Sequence, residues 1–410
     1  MPGYMRLAPL LILLAAAALR AQEPPPTPEG TPDYSAWKVV RVFGSEKFRH
    51  DEWITSVVIA PDGKWCVSGS WDKTARSWDL ATGNGIKEFK GHEGLVRAVA
   101  LSPDAKTLLT GSPYAYDKFV RAWKTEDASD AGKVEAFGAA LAFTSDGKRF
   151  VASTFDGPVR LLEFEGLKEL RQFKGHGDAV QCLALSPDNK LLLTGSIDTT
   201  ARLWDVETGA ELKKYESAKD EVTGVGFTPD GKVFLTACDD QFVRVFRFPQ
   251  PEELPKEKVA DLLKALGAED NLARETAETE LVKIGPAAQR WVLEAAEKGE
   301  PEVQNRAKRI LPKYRIALMA EEVSALDIGG PIRALALHPK LPLWGAVVVT
   351  DKGTAIFIGT VPDGKEPPKV LAKIPYDRDE HESNVLAWLP DGNGIVTGNK
   401  DGSLTLYAKP

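Results

Sequence analysis

His50, Ser68 and Asp72 supply an imidazole, a hydroxyl and a carboxylate, the three groups that activate the nucleophile of a serine hydrolase. The set returns with threonine as His92, Thr110 and Asp117, and again as His176, Thr194 and Asp198. Each Asp is followed six residues later by an indole, at Trp78, Trp123 and Trp204. A nucleophilic triad needs one orienting site with an oxyanion hole, and three copies along a chain do not fit that need. Buried hydrogen bonds that fix loops explain the recurrence better. These twelve residues are therefore expected to be structural, and no catalytic residue is predicted.

Three of the five histidines belong to these sets. His338 precedes a turn proline, where Ser or Thr stands in other copies. His381 lies in an acidic run, Asp377 to Glu382, whose carboxylates could hold a divalent cation. The spacing matches no calcium loop, so the run is read as solvated charge. There is no G-x-x-x-x-G-K-[ST], H-E-x-x-H or G-x-S-x-G motif, and no C-x-x-C. Neither metal nor cofactor is expected. Cys66, Cys182 and Cys238 read as small buried hydrophobes.

The elements that must carry the polar sets repeat. Ala60–Gly63, Ser102–Ala105, Thr144–Gly147, Ser186–Asn189 and Thr228–Gly231 are copies of one turn, with Asp at 62, 104, 146, 188 and 230. A period of 40 to 45 residues with four short β-runs per copy marks propeller blades. In the clearest copy, Lys174 to Gly209, VQCLAL alternates as a strand, Pro-Asp-Asn turns the chain, and LLLTGS and ARLWDV follow as further strands. Such units bury both faces only by stacking around an axis.

With Gly175-His176, Thr194, Asp198 and Trp204-Asp205 the chain resembles the WD-repeat (WD40) β-propeller family. The resemblance implies a hydrogen-bonded tetrad of His, Ser/Thr, Asp and Trp in blades one, two and four. The third copy keeps Asp156 but has Leu162 for Trp, and the fifth keeps Asp240 with Phe246 and has Ala218 in place of His. A sixth copy retains Asp351 and Phe357, and a seventh Thr397, Asp401 and Tyr407. The predicted fold is a mainly β, closed seven-bladed propeller. Trp37 to Phe43 is expected to pair beside Ser403 to Tyr407 and complete the last blade, which removes exposed sheet edges.

The rhythm breaks between the turns at Pro229 and Pro339. Val259, Leu262, Leu263 and Leu266 have amphipathic helical spacing. Asn271 is expected to cap a helix through Ile284, Pro286 to open a third, and Glu302 to about Arg315 to form a fourth that Pro312 kinks or ends. This four-helix insertion in blade five resembles HEAT-like repeats, and the combination is similar to exported bacterial WD-repeat proteins. It is expected to project from the lower rim. The predicted organisation is a signal peptide at 1–21, a Pro-rich linker at 22–35, blades one to five at 36–250 (36–43 belonging to the last), the helices at 251–318, and blades six and seven at 319–410.

The apolar run Leu7 to Leu19 followed by Arg20-Ala21-Gln22 reads as an export signal cut after Ala21 or Ala18, giving a periplasmic or extracellular protein. A run this short does not span a bilayer, which takes about 20 residues, so no transmembrane segment is expected in the mature chain. The formal net charge of −7 becomes more negative when Arg6 and Arg20 leave, and no basic cluster with interleaved aromatics is present. Nucleic acid is therefore not an expected partner.

The family resemblance also implies that the residue before each tetrad Asp points out near the channel on the upper face. Trp71, Tyr116, Phe155 and Ile197 take that place in blades one to four, and Trp53 and Phe137 fall near the same rim. Such a cluster is the expected site for an unidentified protein partner. The expected function is thus a non-catalytic, exported interaction scaffold. The alternatives are a lactonase-like or quinone-dependent propeller enzyme using the central channel, or a passive cell-envelope component. Arg97 and Arg333 map near the upper rim, without an accompanying acid/base set.

Overall fold

A computed structural model describes residues 34–43, 49–113, 117–153, 158–249, 254–317, 319–351, 353–362, 367–375 and 383–409. The predicted signal peptide and most of the linker lie outside them, as do Tyr116, Phe155, Asp156 and His381.

The strands form seven four-stranded antiparallel sheets. Blade one is Ile54–Ile59, Trp65–Ser70, Thr74–Asp79 and Gly85–Lys90 in spatial order. Its register (Val57 opposite Ser68, Cys66 opposite Trp78) recurs in blade four as Leu183 opposite Thr194 and Leu192 opposite Trp204. The first strand of every blade touches the first strand of the next, and the last touches the first, so the ring closes. Closure comes from the N-terminal strand Lys38–Phe43, which pairs antiparallel with the C-terminal strand Leu404–Ala408. Tyr34 and Trp37 just before it are buried against Trp388, in a core shared with Ile356 and Ile374 of blade six. Closing the ring therefore also staples blades six and seven through apolar contact.

The second strands are almost wholly buried, as in Val233–Cys238. Their alternate side chains fill the spaces on either side, so the core is a set of wedges between blades and not one central mass. Gly111 shows how tight the fit is. A Cβ there would lie 2.6 Å from the Gly138 backbone, so blades two and three approach as bare main chain.

Four helices, α1 (Ala260–Ala265), α2 (Asn271–Ile284), α3 (Gln289–Lys298) and α4 (Pro301–Ala317), interrupt the fifth sheet between its third strand Phe242–Arg247 and fourth strand Glu321–Asp327. The chain leaves beside the Pro229-Asp230 turn, where the Phe248 N–H donates to the Lys232 carbonyl. It returns at Ala320, whose carbonyl accepts from Lys213 and from the Tyr215 hydroxyl. The helices bury Val259, Leu266, Leu281, Val292, Ala307 and Ile310 among themselves.

Three local expectations need correction. Asp270, not Asn271, caps α2 by accepting from the Ala273 N–H at 3.0 Å, since a carboxylate at the helix start also meets the positive end of the dipole. Pro286 sits in a 3-10 turn, Gly285–Ala288, and α3 starts at Gln289. Pro312 does not end α4, which runs on to Ala317. One missing N–H is outweighed there by burial of Ala307 and Ile310 in the helical core.

Candidate functional site

On the upper face, in blade one, His50 Nδ1 lies 2.7 Å from Asp72 Oδ2 and Nε2 lies 2.8 Å from Ser68 Oγ. Trp78 Nε1 donates to the same Oγ at 2.8 Å. Blade two repeats this with His92–Asp117 at 2.7 Å, His92–Thr110 at 2.7 Å and Trp123–Thr110 at 2.8 Å. Blade four gives 2.9, 2.7 and 2.9 Å for His176–Asp198, His176–Thr194 and Trp204–Thr194. The local fold dictates the sets. The hydroxyl sits on the second strand, the indole on the third opposite the residue two before the hydroxyl, and the Asp in the turn between them.

The donors can be ordered. A carboxylate only accepts, so Nδ1 carries the imidazole proton and Nε2 accepts from the hydroxyl. That order matches a hydrolase triad. Here, however, the oxygen that would attack already receives the Trp78 N–H, and Ser68, Thr110 and Thr194 are completely buried. No substrate carbonyl can reach them, and the sets act as bolts.

Burial is the largest influence on His50 and His176 and lowers both against the pull of their Asp partners. Burial opposes the charge on Asp72, but bonds from His50 and Thr74 outweigh it and hold the carboxyl well below its usual range. In Asp198 burial is likewise overcome, by Thr200, the Gly177 N–H and His176, leaving it at about 2. At neutral pH the bolts of blades one and four thus hold neutral imidazole against ionised carboxylate.

Blade five builds its bolt differently. Asp240 accepts from Arg244 Nη1 at 3.0 Å and Nη2 at 2.5 Å, and from the Lys219 N–H at 2.9 Å. Sequence reasoning missed this pair. Its signal was Asp-x-x-x-Arg, which recurs as Asp72/Arg76 and Asp198/Arg202, with Nη2 3.7 and 3.8 Å from the carboxylate. In blade seven Thr397 and Tyr407 are buried, but Asp401 turns to the Ser403 N–H and hydroxyl. His338 caps its own turn, with Nδ1 accepting from the Lys340 and Leu341 N–H groups.

The ring encloses a channel of about 730 Å³, lined by the first strands of all seven blades. Trp53, Trp71, Arg97, Glu221, Arg333 and Lys400 also line it. Trp53 and Trp71 are 37% and 44% exposed and stack at 5.1 Å, and Lys400 Nζ lies 4.5 Å over the Trp53 ring. Phe137 and Ile197 are half-buried. Cys182 corrects the expectation of three buried thiols. It is half-buried on the channel wall, because an alternating first strand sends its side chains to the wedge and the channel in turn. Burial pushes its thiol up to about 12, so it remains a protonated donor to the Val222 carbonyl.

Seven four-stranded blades around a channel, bolted by His–hydroxyl–Trp sets, define a β-propeller. The chain carries WD40 repeats. The WD domain, G-beta repeat family matches residues 38–79, 83–124, 167–205 and 209–247. The match leaves out the third copy, which lacks His and Trp, and the sixth and seventh copies, which lie beyond residue 247.

Among relatives, the ribosome biogenesis protein YTM1 of Saccharomyces cerevisiae is 34% identical over 80 residues, 20% of this chain and 16% of its own length. The nuclear distribution protein nudF of Aspergillus niger is 26% identical over 172 residues, 37% of this chain and 38% of its own. Transducin beta-like protein 3 of Rattus norvegicus is 30% identical over 124 residues, 30% of this chain and 15% of its own. The chain thus spans well under half the length of these relatives. They are eukaryotic proteins, two of them named for ribosome biogenesis and nuclear distribution, which proceed inside cells. That overturns the expectation of periplasmic or extracellular residence. An apolar N-terminal run is a compositional signal and does not by itself determine destination. No helix among the described residues is long and apolar enough to cross a membrane.

Proposed function

We propose that this chain is a non-catalytic scaffold that binds a protein partner through its upper rim, with the helical insertion as a second surface. WD40 propellers bind protein partners, and the tetrads' closed hydroxyls support a structural use of these triad-like groups. The observation that carries the reading is the Trp53–Trp71 stack. Two large aromatics stay exposed at the mouth of the channel, on a frame whose other tryptophans near the tetrads are buried. Aromatic anchors at an exposed patch commonly carry binding energy. A frame closed by sheet and bolts holds them in place before contact, which lowers the ordering cost of association.

The test is crosslinking with mass spectrometry on the full chain in its native setting, beside the Trp53→Ala/Trp71→Ala variant. A partner held by this rim should lose about 2 kcal/mol or more with each anchor, roughly 30-fold in affinity. The melting temperature should change little. Crosslinks and affinity that survive the double substitution remove the rim as a site.

A further inference from the structure

The mouth of the channel is chemically divided. Blade one supplies the Trp53–Trp71 stack, with Lys400 of blade seven lying over Trp53. Blade five supplies Asp220, Glu221 and Asp239. Asp239 Oδ2 accepts from Arg333 at 2.9 Å, but its buried Oδ1 meets no donor among the described residues. Glu221 accepts from Gln181 at 2.6 Å. One guanidinium, one side-chain amide and the Glu221 N–H, which donates to Asp220 at 2.8 Å, thus serve three carboxylates on this side. Burial is the main cause that raises the Asp239 pKa; Arg333 pulls it down, and Glu221 and Asp220 push it up again. A cation approaching the mouth is turned from the aromatic side by Lys400 and drawn to the acidic side.

We infer that the partner's binding segment is a peptide that is apolar on one side and basic on the other, seating an aliphatic or aromatic side chain on Trp71 and directing a Lys or Arg toward Glu221 and Asp239. This rests on the rim reading above and adds the chemistry of the occupant. The charge complementarity is specific in sign: a partner acid at the same place would face three carboxylates. Arg333 acts as the resident competitor, since it already holds Asp239 Oδ2, the oxygen an incoming cation would have to share.

The test selects random short peptides displayed against the full chain and discards those that also bind Trp53→Ala/Trp71→Ala. The surviving peptides are synthesised and titrated by fluorescence anisotropy. The expected survivors pair an apolar residue with a nearby Lys or Arg. Changing that basic residue to Gln, or using Glu221→Gln, should weaken binding about tenfold, and added salt should weaken it further. Arg333→Ala should tighten binding severalfold, which a purely structural role for Arg333 does not produce. Survivors without basic enrichment, or an affinity indifferent to both Glu221→Gln and Arg333→Ala, overturn the inference and leave the aromatic rim standing. Recovery only of peptides that bind the double variant equally well, or of none, removes the rim itself and the inference with it.

Discussion

Thr110→Val isolates one bolt. The two side chains have nearly the same shape, so the change swaps a hydroxyl for a methyl without opening a cavity. Thr110 Oγ1 accepts from Trp123 Nε1 at 2.8 Å and lies 2.7 Å from His92 Nε2. Both partners are buried, and the valine methyl answers neither. A buried polar group left unpaired costs about 1–3 kcal/mol, so the two together cost about 2–6 kcal/mol. That is a large part of the 5–15 kcal/mol typical of a folded domain. Thr110→Ser is the control. It keeps the hydroxyl and removes one methyl, a loss of about 1 kcal/mol. The assay is urea unfolding followed by tryptophan fluorescence, with amide exchange mapped along blade two. The expected order of midpoints is wild type, then Thr110→Ser, then Thr110→Val well below, with exchange rising first around 107–124. If Thr110→Val falls within about 1 kcal/mol of wild type, or above Thr110→Ser, the hydroxyl is not a bolt and the reasoning from unpaired buried groups fails here.

Acid should loosen the propeller in two stages. His50 and His176 have folded pKa values below the unfolded value of about 6.5, so their contribution is present above that value and is lost as pH falls below it. Asp72 and Asp198 are depressed from about 4, Asp198 to about 2, so a second loss runs downward across that interval. Urea midpoints measured from pH 8 to 3 check this, and a flat profile between pH 7 and 5 contradicts the histidine stage. Arg244→Met should cost about 3–5 kcal/mol by leaving the largely buried Asp240 carboxylate without its counter-charge. Adding Asp240→Asn should recover part of that loss in the same unfolding assay.

Much of this architecture was legible because its signals are periodic. The Pro-Asp turns, the alternation in VQCLAL and the Asp-to-Trp spacing are each short-range patterns, and their agreement left one fold. The helix ends were less legible. Asp270 and Asn271 are both good caps, and the choice between them depends on which residue the buried face allows to turn outward. Pro312 suggests a kink or an end because propensity is local, whereas the burial that carries α4 past it comes from other helices. The Asp240–Arg244 pair was visible only as two charges four apart, a pattern common on solvated strands. Its burial follows from the missing histidine, since without an imidazole at Ala218 the guanidinium closes on the carboxylate. The stacking of Trp53 on Trp71 joins the start of one strand to a turn 18 residues later, a distance that only the blade's register brings to contact.

The blades are held in two different ways, and the difference bears on what acid or substitution will do. Blades one, two and four have complete His–hydroxyl–Asp–Trp sets. Blade five replaces the imidazole with Arg244 and packs Tyr215, Phe227, Phe234, Phe246 and Phe248 against one another at its lower end, where the helices leave. Blades six and seven share the Tyr34–Trp37–Trp388 cluster, with His338 edge-on to Trp388 at 4.8 Å. His50, His176 and His338 are held neutral by burial and charge only as the pH falls below the ordinary imidazole value, whereas the Arg244–Asp240 pair and the Tyr34–Trp37–Trp388 rings carry no group that changes charge there. Protonation therefore weakens the bolts of blades one and four, and the turn that His338 caps in blade six, before the Asp240–Arg244 pair or the closing strand. Amide exchange at pH 5.5 should accordingly rise in the upper loops of blades one and four before the strands Phe242–Arg247 or Leu404–Ala408. The opposite order would mean that chain closure, and not the bolts, is the weaker element of the ring.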